Sequence, residues 1–259
     1  DPDADPSTGR PFSQRGFVDA LREGARRFGW RSRSGARLGR REGEWLVGEG
    51  MAAAYYPYKR FRGGAARITL RRDGRALIEL AAHDMGMGTT TATAAVAAER
   101  LGVQYDDIEI RYGDNRLPGS MVAAASQQMA AISAALTAGR DALATELAAL
   151  APASSPLHGR SADKLSTNDG ALSLARDPSV SMSFANLLDR AEQPSVTVEA
   201  SAPAPSEAKD WSMHSTGAVF AEVRVNAITG ELRASRITGV YDCGKIINPT
   251  LAASQFKSG

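Results

Sequence analysis

The chain has 259 residues, 43% of them hydrophobic and 23% charged, which suits one large globular domain or two smaller ones. Its 31 basic and 29 acidic residues leave a net charge of +2, so the overall balance implies no nucleic-acid partner. One cysteine, Cys243, excludes a disulfide within the chain and argues against a Cys-based metal site. His83, His158 and His214 are scattered without ligand-like spacing, so no metal-ligating residue is named. No apolar run approaches the roughly 18 residues of a membrane span, and no stretch reads as a signal peptide. The first residue is Asp rather than Met, and a piece of a longer polypeptide is expected.

Residues 1–10 are polar and turn-rich. Phe17, Leu21, Ala25 and Phe28 then recur at helical spacing, predicting an amphipathic helix with Ser13 as its N-cap and Gly29 as its stop. Arg26, Arg27, Arg31, Arg33, Arg37, Arg40 and Arg41 cluster, which reads as a solvated helix face with its loop rather than a nucleic-acid surface. "WLVGEGMAAAYYPYKRF" (45–61) predicts a buried strand passing close to other backbone. "ARITLRRDGRALIELAA" (66–82) predicts a hairpin turning at Asp73-Gly74. After "HDMGMG", a helix with small side chains is expected over 89–101, and "YDDIEIRYGD" (105–114) alternates like a strand.

Ser126 is expected to cap a long helix reaching about residue 149, with Met129, Ile132, Leu136, Leu143 and Leu147 turned inward. Residues 151–161 read as a linker. "LSTNDGALSLA" (165–175) predicts a small hairpin, and "SFANLLDRA" (183–191) a capped short helix. "SAPAPSEAKDWS" (201–212) reads as an irregular connection. A long hairpin over 218–242 turns at Ile228-Thr229-Gly230, with Glu222 and Arg224 on one face and Ala221, Val223 and Val225 on the other. Pro249 starts a last helix. Hairpins and helices mix without a regular βα rhythm, so the class is α+β, with mixed or antiparallel sheets and packed helices. Three consecutive segments are expected: 1–150, 151–215 as a linker carrying a small hairpin and helix, and 216–259.

Three stretches carry chemistry. "HDMGMGTTT" (83–91) lies where a strand becomes a helix. Glycines let backbone N–H groups approach a ligand, and a first helical turn offers unpaired donors at the positive end of its dipole. An ordinary tight turn is the alternative, and the stretch matches neither the Walker pattern nor the full GxGxxG fingerprint. "GDNRLPGSMVAAASQQMA" (113–130) enters the next helix in the same manner, with Ser126 and Gln127 either at an anion seat or at a plain N-cap. "DCGKIINPTLAASQ" (242–255) combines turn and helix-start chemistry. Cys243 reads as a small buried residue rather than a nucleophile.

Taken in order, "MGMGTTTATAAVAAERLGV", "IEIRYGDNRLP…SQ" and "GKIINPTLAASQ" resemble the molybdenum-binding large subunit of the xanthine dehydrogenase/aldehyde oxidase family, in its bacterial aldehyde or isoquinoline oxidoreductase form. "TGRPFSQRGFVDALREGARRFGW" and "GMAAAYYPYKRFRGG" extend the resemblance over most of residues 8–258, more weakly over 151–215. The resemblance implies a molybdopterin cofactor, in its cytosine dinucleotide form. Gly86, Met87, Gly88 and Thr89 would contact it through backbone and hydroxyl groups, together with Ser126, Gln127 and Gln255.

Two departures touch these positions. Met87 stands where many relatives carry Gln. "PGSMVAAAS" replaces a glycine-rich PGSGG-like stretch, so Ala123–Ala125 restrict φ. The family's catalytic glutamate, in a GxGE motif, would lie beyond Gln255, and its metal-side loop and substrate-orienting arginine before residue 1. No residue of this chain is therefore expected to be catalytic. The implied reaction is oxidative hydroxylation of aldehydes or N-heterocycles. Electrons would leave through a [2Fe-2S] subunit and an FAD or haem (cytochrome) subunit, in the cytoplasm or, after folded export, the periplasm. A structural or assembly module of the same fold is the other reading.

Overall fold

The structure, a computed structural model, describes residues 4–32, 39–119 and 121–258. In chain order the elements begin with α1 (Phe17–Phe28), β1 (Arg40–Glu42), β2 (Trp45–Pro57), β3 (Ala65–Arg71), β4 (Ala76–Glu79), α2 (Thr89–Leu101) and β5 (Ile108–Arg111). Next come α3 (Gln128–Leu150), β6 (Leu165–Asn168), β7 (Ala171–Leu174), β8 (Asp177–Ser183) and α4 (Phe184–Arg190). The last are β9 (Ser195–Ser201), β10 (His214–Asn226), β11 (Leu232–Asp242) and α5 (Pro249–Ser258). The basic residues Arg33 and Arg37 lie outside the described residues.

The chain divides into two units, each assembled from non-contiguous parts: residues 1–58 with 206–246, and residues 59–205 with 247–259. They cut across the three consecutive segments read from the sequence, because strand pairing joins residues far apart in the chain.

The first unit is an antiparallel sheet in the order β1-β2-β10-β11, with α1 packed on β10 and β11. Phe28 of α1 stacks on Phe220 of β10 with ring centroids 5.7 Å apart, and Trp30 meets Phe220 edge-on at 5.4 Å. Gly29 takes φ +77° and its N–H bonds back to the Ala25 and Arg26 carbonyls, stopping α1 where the sequence indicates. The cap at the other end is not Ser13. The N-cap position is Gly16, whose N–H donates to the Asp242 carboxylate at 2.8 Å, so a β11 residue satisfies what a local side chain would otherwise supply.

β2 also departs from expectation. It pairs with β10 along its whole length, yet Gly50–Tyr56 are exposed rather than buried. The buried side of β10 carries Ala218, Phe220 and the acid Glu222. Arg40, Arg224 and Ser235 hydrogen-bond the Glu222 carboxylate and hold its pKa down at about 2, the Ser235 and Arg40 bonds contributing most.

The second unit is built on a sheet in the order β5-β4-β3-β9. Ala66, Ile68, Leu70 and Ile78 are fully buried in the core that α2 and α3 share. Outward, Arg67 pairs with Glu79 and Glu199, and Arg111 with Glu109, giving a solvated ionic face. β3 and β4 form the hairpin at Asp73-Gly74, whereas β4 and β5 are parallel and joined through α2. The loop 83–88 therefore opens from the carboxyl end of a strand in a βαβ crossover, a position where α/β sheets commonly bind ligands.

A three-stranded sheet β6-β7-β8 turns at Asp169-Gly170, both left-handed, and Ser183 caps α4 by accepting the Asn186 N–H. Residues 151–161, expected as a linker, form a run of turns that buries Leu157 in the same core. Among the described residues every other pair of the strands β1–β11 is antiparallel, so the α+β reading of the sequence is the observed class.

Candidate functional site

The loop between β4 and α2 turns on two glycines, Gly86 at φ +97° and Gly88 at φ +78°. A Cβ at Gly86 would meet nothing within 4 Å, so glycine serves the backbone angle there. At Gly88 a Cβ would lie 2.6 Å from both methyl carbons of Leu251 in α5. The N–H groups of Gly86 and Gly88 both donate to one oxygen, Asp84 Oδ1, at 2.9 and 3.3 Å. The loop thus already gathers its donors around an anion of its own. Met87 turns its sulfur back to the Met85 N–H, while the Met85 side chain is 73% exposed. Thr89, the first residue of α2, is buried and its hydroxyl donates to the His83 carbonyl at 2.8 Å. It therefore holds the loop closed rather than facing solvent.

The second stretch differs from expectation at its cap. α3 starts at Gln128, not after Ser126, and its N-cap position is Gln127 with no side-chain cap bond. Ala125 and Ser126 are both left-handed, at φ +55° and +53°, which turns the exposed Ser126 away from a capping geometry. Of the three alanines that replace the glycine-rich stretch, Ala125 is the one in this region, which L-residues adopt at a cost. Gln127 is buried and its amide is committed: Oε1 accepts the Phe61 N–H at 3.2 Å, and Nε2 donates to the Val122 carbonyl.

Gln128 was not singled out from the sequence. Its buried amide accepts the His83 N–H at 3.1 Å and donates to the His83 carbonyl at 2.7 Å and to Thr89 Oγ1 at 3.1 Å. The available signal was its register, since Gln128 falls on the inward stripe with Ile132 and Leu136, where a polar side chain must find buried partners. Asp84 was also passed over, although an Asp two residues before glycine is an ordinary receiver of backbone N–H groups.

In the third stretch, Asn248 Oδ1 accepts the Leu251 N–H at 3.0 Å, and Pro249 begins α5 as expected. Leu251 sits over Gly88, and the exposed Gln255 is one turn further along the same helix. Loop 83–88, the start of α3 and α5 thus belong to one unit and meet around the start of α2. Cys243 belongs to the other unit. It is partly buried, and burial, with Asp242 beside it, pushes its thiol pKa up, which disfavours a thiolate nucleophile. Among the described residues no group of three His, Cys, Asp or Glu could hold a metal, and no helix is long and apolar enough to cross a membrane.

A family model described as a molybdopterin cofactor-binding domain matches residues 23–259. The chain belongs to this family. Its similarity to the aldehyde oxidoreductase molybdenum-binding subunit PaoC of Escherichia coli K12 is 33% identity over 256 residues, covering 97% of this chain and 32% of that protein. To the putative xanthine dehydrogenase molybdenum-binding subunit XdhA of the same organism it is 28%, covering 99% and 35%.

This molybdopterin cofactor-binding chain therefore spans about a third of the length of the curated relatives it matches. The membership read from the three motifs, in the xanthine dehydrogenase/aldehyde oxidase family, is borne out. The fold agrees as well. A Cu,Mo-CO dehydrogenase matches with a TM-score of 0.71 at 17% identity, over 95% of this chain and 33% of that one. Quinoline 2-oxidoreductase from Pseudomonas putida 86 matches with 0.69 at 21%, over 94% and 32%.

Proposed function

We propose that this molybdopterin cofactor-binding domain holds the pterin and phosphate end of the cofactor, in its cytosine dinucleotide form. The observation that carries the reading is the convergence of the Gly86 and Gly88 N–H groups on a single anionic oxygen at the N-terminus of α2. A donor set that binds the chain's own carboxylate can take a phosphate oxygen in its place once the Asp84 side chain swings aside. Gly86, Met87 and Gly88 would act through the backbone. Thr89 would act mainly by fixing the loop, because its hydroxyl is engaged with His83 and Gln128. Ser126 offers an exposed hydroxyl, Gln127 its position at the start of α3, and Gln255 an exposed amide on α5.

When bound, the cofactor supplies the two-electron redox chemistry of molybdenum. The residues of this chain bind and orient its organic end, and none is proposed as catalytic. The parent enzyme is proposed to hydroxylate aldehydes or N-heterocycles oxidatively in the cytoplasm. The remainder of the large subunit, a [2Fe-2S] subunit and an FAD or cytochrome subunit would be its partners. Mass spectrometry of pterin released from the full-length gene product should detect molybdopterin cytosine dinucleotide, with molybdenum in stoichiometric amount. Finding neither pterin nor molybdenum overturns the reading.

A second reading, a structural or assembly module of the same fold, draws on the committed amide of Gln127 and the left-handed Ala125 and Ser126. It predicts partner-subunit binding with no pterin, so the same measurement separates the two.

A further inference from the structure

Capping does not account for Gln128, since the N-cap position of α3 is its neighbour Gln127. Packing alone does not account for it either, because leucine would fill the same stripe without burying polar atoms. It is 6% exposed, and among the described residues its three side-chain hydrogen bonds all go to one loop: two to the peptide groups of His83 and one to the Thr89 hydroxyl. His83 opens the loop and Thr89 closes it into α2, so one side chain from another helix pins the loop at both ends.

The amide's orientation is dictated by its partners. Both Nε2 hydrogens are used, on His83 O and Thr89 Oγ1, while Oε1 faces the His83 N–H. A flipped amide would set like against like at both peptide groups. The His83 carbonyl in turn accepts from both Gln128 and Thr89, so the knot is closed. Between the pinned ends lie Gly86 and Gly88, whose positive φ angles would otherwise leave the loop its greatest freedom.

We infer that Gln128 is a positioning residue for the cofactor: it holds the Gly86–Gly88 donors and the start of α3 as one preorganised body. The inference rests on the reading of this loop as the seat of the cofactor's anion. A preformed seat spares a ligand the entropy of ordering the loop, so loss of the amide should appear both as local opening and as poorer cofactor retention.

The test uses the full-length gene product with Gln128→Glu and Gln128→Leu. An ionised Glu has no donor for His83 O or Thr89 Oγ1, whereas a protonated Glu offers one donor and one acceptor and restores most of the pattern. Burial raises a carboxyl pKa, so this switch falls in the mildly acidic range. Hydrogen exchange is read by mass spectrometry on peptides covering residues 81–89, each variant against wild type at the same pH.

The expected result for Gln128→Glu is exchange faster by about tenfold or more at pH 8, returning toward wild type at pH 5. Released pterin should be depleted at pH 8 and recovered at pH 5. Gln128→Leu should be fast and depleted at both pH values, and peptides from β3 should stay unchanged throughout. Wild-type exchange in Gln128→Glu at pH 8, loosening of β3 by the same factor, or full pterin retention despite a loosened loop would each overturn the inference. If wild type itself carries no pterin, the cofactor reading fails, and the exchange data still decide whether Gln128 pins the loop.

Discussion

Gly86 and Gly88 share a left-handed backbone but not a neighbourhood, and this difference can be measured. Alanine at either position carries the left-handed penalty of an L-residue, about 1–2 kcal/mol. At Gly86 that is the whole cost, because the added Cβ meets nothing within 4 Å. At Gly88 the same carbon would lie 2.6 Å from two Leu251 methyl carbons, so α5 or its side chain must shift, adding about 1–2 kcal/mol of overpacking. Gly88→Ala should therefore cost about 2–4 kcal/mol. In a Leu251→Ala background it should fall back to about 1–2 kcal/mol, a coupling of about 1–2 kcal/mol in a double-mutant cycle.

Urea denaturation followed by far-UV circular dichroism is the appropriate assay, because Trp30, Trp45 and Trp211 all lie in the other unit and their fluorescence reports on it. Equal costs at the two glycines, or no coupling to Leu251, would refute the packing of α5 on the loop.

Three further outcomes are expected. Glu222 is held at about pKa 2 in the folded state against 4.5 for an ordinary Glu, so the unfolded chain binds more protons between these values. Its contribution is present above about pH 4.5 and lost as pH falls toward 2. Glu222→Gln should cost about 3 kcal/mol near neutrality, with the gap to wild type closing over that window by tryptophan fluorescence. A pH-independent gap would exclude the ion network as its source.

Ala125→Gly should stabilise the fold by about 0.5–1 kcal/mol, read as a higher urea midpoint at unchanged slope, since relief of the left-handed strain exceeds glycine's added unfolded-state entropy. A lower midpoint would contradict the strain. Gln127→Ala leaves the Phe61 N–H and the Val122 carbonyl without their partner and should cost about 1–3 kcal/mol; a neutral effect would show that these two bonds carry no weight.

Elements whose cause is local were legible in the sequence. The period of Phe17, Leu21, Ala25 and Phe28 and the Gly29 stop define α1, and Asp73-Gly74 and Asp169-Gly170 define two hairpins. Ser183 and Pro249 mark helix starts, and the order of three short motifs indicates the family. Each signal acts over a few residues, through backbone angles and capping hydrogen bonds that neighbouring side chains satisfy.

What only the tertiary structure decided are partnerships across long stretches of chain. Asp242 rather than Ser13 serves the start of α1, and β2 finds β10. Glu222 is buried because Arg40 arrives from another strand, and Gln128 reaches back to pin His83 and Thr89. A buried polar group selects whichever partner the fold brings within about 3 Å, and no spacing rule along the chain encodes that distance.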